Sequence, residues 1–119
     1  MKKILVIDDE KDIRDNISGI LKKHHYNVVT CGDLTEAKKQ IAHHNWDAVI
    51  CDVMIPHLGG FELAEAVKSA KRNTPVILVT GMDKEVLSAT QTNADLILHK
   101  PFTGKQILHA VEKLIAESV

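Results

Sequence analysis

Apolar residues along this chain fall into short dense runs, separated by stretches where they recur every three or four positions. The first dense run, residues 4–7, is closed by Asp8, Asp9 and Glu10. A short apolar run bounded by charge predicts a strand buried on both faces. Ile13, Ile17, Ile20 and Leu21 then recur at helical spacing and predict an amphipathic helix over about residues 12–24. Residues 26–31 (YNVVTC) are rich in β-branched side chains and predict a second strand. After Gly32 and Asp33, Leu34, Ala37 and Ile41 mark a second helix that ends near His43 and His44. Residues 47–52 (DAVICD) predict a third strand, and the loop VMIPHLGG after it carries Pro and paired Gly as breakers. Phe61, Leu63, Ala64 and Val67 begin a third helix, and residues 74–80 (TPVILVT) form the most strand-like run in the chain. A weakly periodic helix follows at about 84–90, then a fifth strand at 95–99. Ile107, Leu108, Val111, Leu114 and Ile115 mark the last helix.

Strand and helix alternate five times with short connections. That order implies an α/β fold with a five-stranded parallel sheet, (βα)5 and doubly wound, with helices on both faces. The strand order 2-1-3-4-5 suits such a chain, and it puts a site at the carboxyl ends of the strands near the switch between strands 1 and 3.

The 119 residues suit a single domain, 1–119, and a 45% apolar, 26% charged composition is globular. A formal charge of −1 gives no case for direct nucleic-acid binding through a broad basic surface. No run of about 18 apolar residues predicts a membrane span. "MKK" is followed by only four apolar residues before the acids, which is too little for a signal peptide. Cys31 and Cys51 end apolar runs and read as buried free thiols. The expectation is a soluble, cytoplasmic domain. Seven histidines raise a metal question, but the adjacent pairs His24-His25 and His43-His44 diverge in a helix or turn, match no zinc-ligand spacing, and read as solvated helix ends. His57 and His99 lie near the expected site and read as surface residues.

The strand ends carry the chemistry. Strand 1 ends in Asp8 and Asp9, strand 3 in Asp52, strand 4 in Thr80 and strand 5 at Lys100. Strands 1 and 3 are neighbours in this order, so their three carboxylates converge. Carboxylates a few ångströms apart do not all stay ionised without a cation. Oxygen ligands with no Cys or His among them suit Mg2+, or Mn2+. An Asp carboxylate can accept a phosphoryl group as an acyl phosphate. Lys100 supplies a flexible positive charge against the transferred group, and the Thr80 hydroxyl can donate to it. Glu10 reads as part of the following helix start, where acids are favoured.

The segments ILVIDDE, DAVICDVMIPHLGGFEL, PVILVTG and LHKPF, in this order and spacing, resemble the receiver domain of two-component response regulators, CheY-like, over essentially the whole chain. The resemblance implies that Asp52 is the phosphoacceptor. Asp9 would bind the metal directly, Asp8 through water, and Met54 through its backbone carbonyl. It makes Thr80 the switch hydroxyl and Lys100 the phosphate partner, ahead of a cis bond to Pro101. The implied donor is a sensor histidine kinase or a histidine phosphotransfer protein, and the domain catalyses only its own phosphorylation and dephosphorylation.

The chain departs from the family pattern in several places. Ile97 stands at the switch position where an aromatic residue is usual, so a ring flip is not the readout. The segment between Thr80 and Lys100 is slightly short, and a frayed fourth helix is expected there. Leu96 and Ala110 replace an Asp and an Arg that support salt-bridged pairing through the face of the fourth helix, fifth strand and fifth helix (α4-β5-α5). A monomer or a weak dimer through that face is expected. Met54 and Met82 occupy the two positions that tune phosphate lifetime, and neither orients an attacking water by strong hydrogen bonds. Two rival readings remain beside this one. A metal-dependent phosphohydrolase places its two strand-1 acids two residues apart and needs more chain. A degenerate receiver would act as a phosphorylation-independent interaction module. The output domain or target, and whether the receiver stands alone, are open at this point.

Overall fold

The structure, a computed structural model, describes residues 1–53, 60–70, 73–81 and 94–117. The expected helix at 84–90 lies outside them, as do Met54, His57, Gly59, Met82 and the side chain of Phe61.

The elements follow in the order β1 (Lys3–Ile7), α1 (Lys11–Lys23), β2 (Asn27–Cys31), α2 (Leu34–His43), β3 (Ala48–Asp52), α3 (Gly60–Ala70), β4 (Val76–Thr80), β5 (Leu96–His99) and a last helix, Gly104–Glu117. The sheet runs β2-β1-β3-β4-β5, every pair parallel. Side chains alternate across it. Leu5, Ile7, Val49, Cys51 and Leu78 face α2 and α3, where they meet Ala37, Ile41, Leu63, Ala64 and Val67. Ile4, Val6, Ile50, Ile77 and Val79 face α1 and the last helix, where they meet Ile17, Leu21, Ile107 and Val111. Burial on both faces explains why β1, β3 and β4 read as continuous apolar runs. Edge strand β5 is half-buried.

Boundaries shift by a residue or two for local reasons. β4 begins at Val76 rather than at 74, because Pro75 has no N–H to give the ladder and the N–H of Val76 goes to the carboxylate of Asp95 at 2.8 Å. Asp95 also meets Lys68 Nζ at 2.7 Å, so it staples α3 to the start of β4 and β5 instead of extending the strand. Gly60, read as loop, is the first residue of α3. The last helix is started by a reciprocal pair. The backbone N–H of Gln106 donates to Thr103 Oγ1 at 3.2 Å, and that of Thr103 to Gln106 Oε1 at 2.7 Å. Asp33 caps α2 by accepting from the N–H of Glu36 at 2.9 Å.

Helix α1 ends in a Schellman turn. The N–H of Tyr26 donates to Leu21 O and that of His25 to Lys22 O. His25 therefore sits at φ 69°, where a side chain is strained and glycine is not. We predict that His25→Gly raises unfolding stability by about 0.5–1 kcal/mol, measured by urea denaturation. A loss of stability contradicts this reading of the turn.

Candidate functional site

The site forms where β1, β3, β4 and β5 all end. Asp8 continues the ladder past β1, its N–H donating to Cys31 O at 3.1 Å, and it is 1% exposed. Its Oδ1 accepts the N–H of Glu10 at 2.9 Å, which ties the strand end to the start of α1. Asp52 is the last residue of β3 and Thr80 the last of β4, both buried. The backbone N–H of Lys100 donates to Thr80 O at 2.7 Å, and the Lys100–Pro101 peptide is cis. From that anchor Lys100 Nζ donates to Asp52 Oδ2 at 2.9 Å and stands 3.8 Å from Asp8 Oδ2. One ammonium thus lies between two buried carboxylates.

The electrostatics are unfavourable for Asp8. Burial, with the charge of Asp52 adding, outweighs the Glu10 N–H and Lys100 and pushes its carboxyl up to about 6. Its Oδ2 is buried and has no hydrogen-bond partner among the described residues. Burial pulls the Lys100 ammonium down, but the bond to and charge of Asp52, helped by Asp8 and Glu10, win and hold it above its ordinary value. The carboxylates of Asp8, Asp9 and Glu10 have oxygens within 4.8 Å of one another, the latter two exposed. Asp52 stands outside this triplet and reaches it through Lys100 and through its charge on Asp8. An orphaned buried carboxylate oxygen inside an all-oxygen donor set fits a hard divalent cation.

A family model for the response regulator receiver domain matches residues 4–112. The chain belongs to this family. The receiver is 31% identical over 119 residues to the alkaline phosphatase synthesis transcriptional regulatory protein PhoP of Bacillus subtilis, covering 98% of this chain and 50% of PhoP. It thus spans about half the length of the curated relatives it matches. Among solved structures it is similar to a CheY-like receiver domain protein from Methanospirillum hungatei, with TM-score 0.91, 26% identity, and 99% and 96% of the two chains covered. It is also similar to the response regulator protein TrrA of Thermotoga maritima in complex with Mg2+-BeF, with TM-score 0.85, 33% identity, and 96% and 99% covered. The family's fold, a parallel sheet in the order 2-1-3-4-5, is the one described above.

Other residues singled out in the sequence have plain placements. Ile97 is half-buried on β5 and packs with the α2-α3 side of the core. Cys31 and Cys51 are free and buried, and burial pushes both thiols up, that of Cys31 to about 11. His24 and His44 cap the carboxyl ends of α1 and α2, and His44 meets Trp46 edge-on at 6.1 Å. Trp46 is a core residue whose Nε1 donates to Gln40 O at 3.0 Å. Among the described residues no helix is long and apolar enough to cross a membrane.

Sequence reasoning missed Arg14, whose Nη1 donates to the backbone O of Asp8 at 2.8 Å. Helical arithmetic carries a faint signal for it. Positions 14, 18 and 21 share a face, and Ser18 and Leu21 on that face are buried, so an arginine there needs an internal acceptor.

Asp8→Asn keeps an oxygen for the Glu10 N–H while removing a buried charge beside Asp52. In metal-free buffer it is expected to raise stability by about 1–2 kcal/mol, the scale of an unsatisfied buried polar group. Urea unfolding in chelator checks this, and a lower midpoint for the variant contradicts it.

Proposed function

We propose that the receiver accepts a phosphoryl group on Asp52 and uses it to switch partners. The observation that carries this reading is Lys100 Nζ, 2.9 Å from Asp52 and 3.8 Å from the buried Asp8. Asp52 is the one of the two acids that directly accepts a hydrogen bond from the lysine, and Thr80 ends the neighbouring strand. In the transfer, an Asp52 carboxylate oxygen forms the new O–P bond as the donor's bond to phosphorus breaks, and the leaving group keeps that electron pair. Lys100 balances the charge that arrives with the phosphoryl oxygens, and the Thr80 hydroxyl donates to one of them. Mg2+, or Mn2+, would be held by Asp9, Asp52 and the backbone carbonyl of Met54, with Asp8 behind them through water. When bound it neutralises charge between acceptor and donor. The donor is the phosphohistidine of a sensor histidine kinase or a histidine phosphotransfer protein. Such a donor places the receiver in the cytoplasm, where thiols like Cys31 and Cys51 stay reduced.

The output is a change in which conformer of the strand-end surface is populated, biased by the added charge. An output domain or separate target reads it, as the greater length of PhoP and its name as a transcriptional regulator suggest. Salt-bridged pairing through Leu96 and Ala110 has no support in their setting. Leu96 is half-buried, and Ala110 is 2% exposed in the core rather than facing a partner. A monomer, or a weak dimer held by other contacts, fits better.

Incubation with Mg2+ and a small acyl phosphate or phosphoramidate, followed by intact mass, is expected to give one phosphoryl adduct that is lost in Asp52→Asn. An adduct that persists in Asp52→Asn overturns the assignment. No adduct from any donor, a histidine kinase included, favours a phosphorylation-independent binding module. The side chains of Met54 and Met82 predict slow loss of the phosphoryl group. Phosphate release from the purified adduct is expected to run several-fold faster in Met54→Asn, and a lifetime of only seconds in both proteins contradicts that.

A further inference from the structure

Arg14 is the unexpected charged group of the site. It projects from the first turns of α1 back across the end of β1 to the exit of β2. Its Nη1 donates to the backbone O of Asp8 at 2.8 Å, while the guanidinium lies against Gly32. A Cβ at Gly32 would stand 2.7 Å from Nη1 and 3.2 Å from Cζ. Gly32 is not required for its own backbone, since no described glycine has positive φ. The space that a Cβ would need here is taken by the arginine. A methyl group at this position would displace the guanidinium, whose flexible stem yields readily, and with it the bond to Asp8.

That bond has a specific consequence. The acceptor is the carbonyl of the Asp8-Asp9 peptide, which is planar, so fixing its oxygen orients the whole unit from the Cα of Asp8 to that of Asp9. The flanking groups are already held. The N–H of Asp8 is bonded to Cys31 O, and that of Glu10 to Asp8 Oδ1. Among the described residues Arg14 supplies the side-chain bond to that carbonyl, and without it this one peptide is freer to rotate between the two fixed points. Asp9, exposed and beyond the last ladder bond, would then sample several directions.

We infer that Arg14, seated on Gly32, is a positioning residue for divalent cation binding, aiming the Asp9 carboxylate by holding the Asp8-Asp9 peptide. This rests on the reading of Asp8 and Asp9 as the metal's ligands. Groups behind metal ligands commonly affect affinity by about 10–100-fold. An exposed site with one such bond belongs at the lower end, about tenfold. The effect runs opposite to bare electrostatics, since deleting a nearby cation should by itself tighten Mg2+ binding.

The test is calorimetric titration of the whole chain with MgCl2 in wild type, Arg14→Met, Gly32→Ala and the double variant. Melting curves in chelator establish that each is folded at the titration temperature. Methionine keeps the apolar stem and removes the donor. Gly32→Ala retains the arginine but displaces its guanidinium from Asp8 O, so it carries the test even if Arg14→Met does not fold. Each single variant is expected to weaken Mg2+ binding about tenfold, and the double variant no further, because both act through one hydrogen bond. A general loss of stability moves the melting curves but gives no such non-additivity. Mg2+ affinity in either single variant that is unchanged or tighter overturns the inference while leaving the metal site intact. So do penalties that add in full. A wild-type protein that binds no Mg2+ overturns the site reading and this inference with it.

Discussion

Lys100 stands between two buried acids, 2.9 Å from Asp52 and 3.8 Å from Asp8. Both acids are almost fully enclosed, and neither location would tolerate an unpaired charge without the ammonium. The lysine is held there by its own backbone, whose N–H is bonded to Thr80 O. The parallel order β2-β1-β3-β4-β5 gives this arrangement its reach. It sets the carboxyl ends of four strands in a row, so that residues as far apart in sequence as Asp8, Asp52, Thr80 and Lys100 meet.

The single cation does not satisfy both acids. Asp52 takes the hydrogen bond, while Asp8 keeps an oxygen with no hydrogen bond among the described residues and a carboxyl pushed up to about 6. The receiver is thus left with an acidic surplus at its strand ends, which a divalent cation would relieve. A phosphoryl group on Asp52 would shift the balance again, since Lys100 would gain a more highly charged partner. Under the proposed function, movement of the Lys100 and Thr80 contacts toward that group would link chemistry at β3 to the surface of β4 and β5.

Much of this was legible in the sequence, because buried parallel strands announce themselves as apolar runs and their last residues fall at one end of the sheet. "VIDDE", "ICD", "LVT" and "LHKP" each stop at the site for that reason. What stayed hidden depends on contacts between distant residues or on backbone geometry. Gly32 carried no sign of its neighbour in the sequence, because only the fold brings the Arg14 guanidinium onto it. Asp95 read as the start of a strand, because its bonds to the Val76 N–H and to Lys68 join three elements. His25 read as a solvated helix end, which it is, but its left-handed backbone follows from the Schellman turn. Ala110 was matched to a surface position by family resemblance. The spacing of Ile107, Val111 and Leu114 puts it on the buried side instead.

The central claim is that this pocket directs a phosphoryl group to one oxygen-bearing side chain among several neighbouring acids. Borohydride reduction of the phosphorylated protein converts an aspartyl phosphate to homoserine, which peptide mass mapping locates. The account predicts homoserine at position 52 alone. Homoserine at position 8 or 9, or a stable adduct that resists reduction because it sits on a histidine or a hydroxyl, would contradict it.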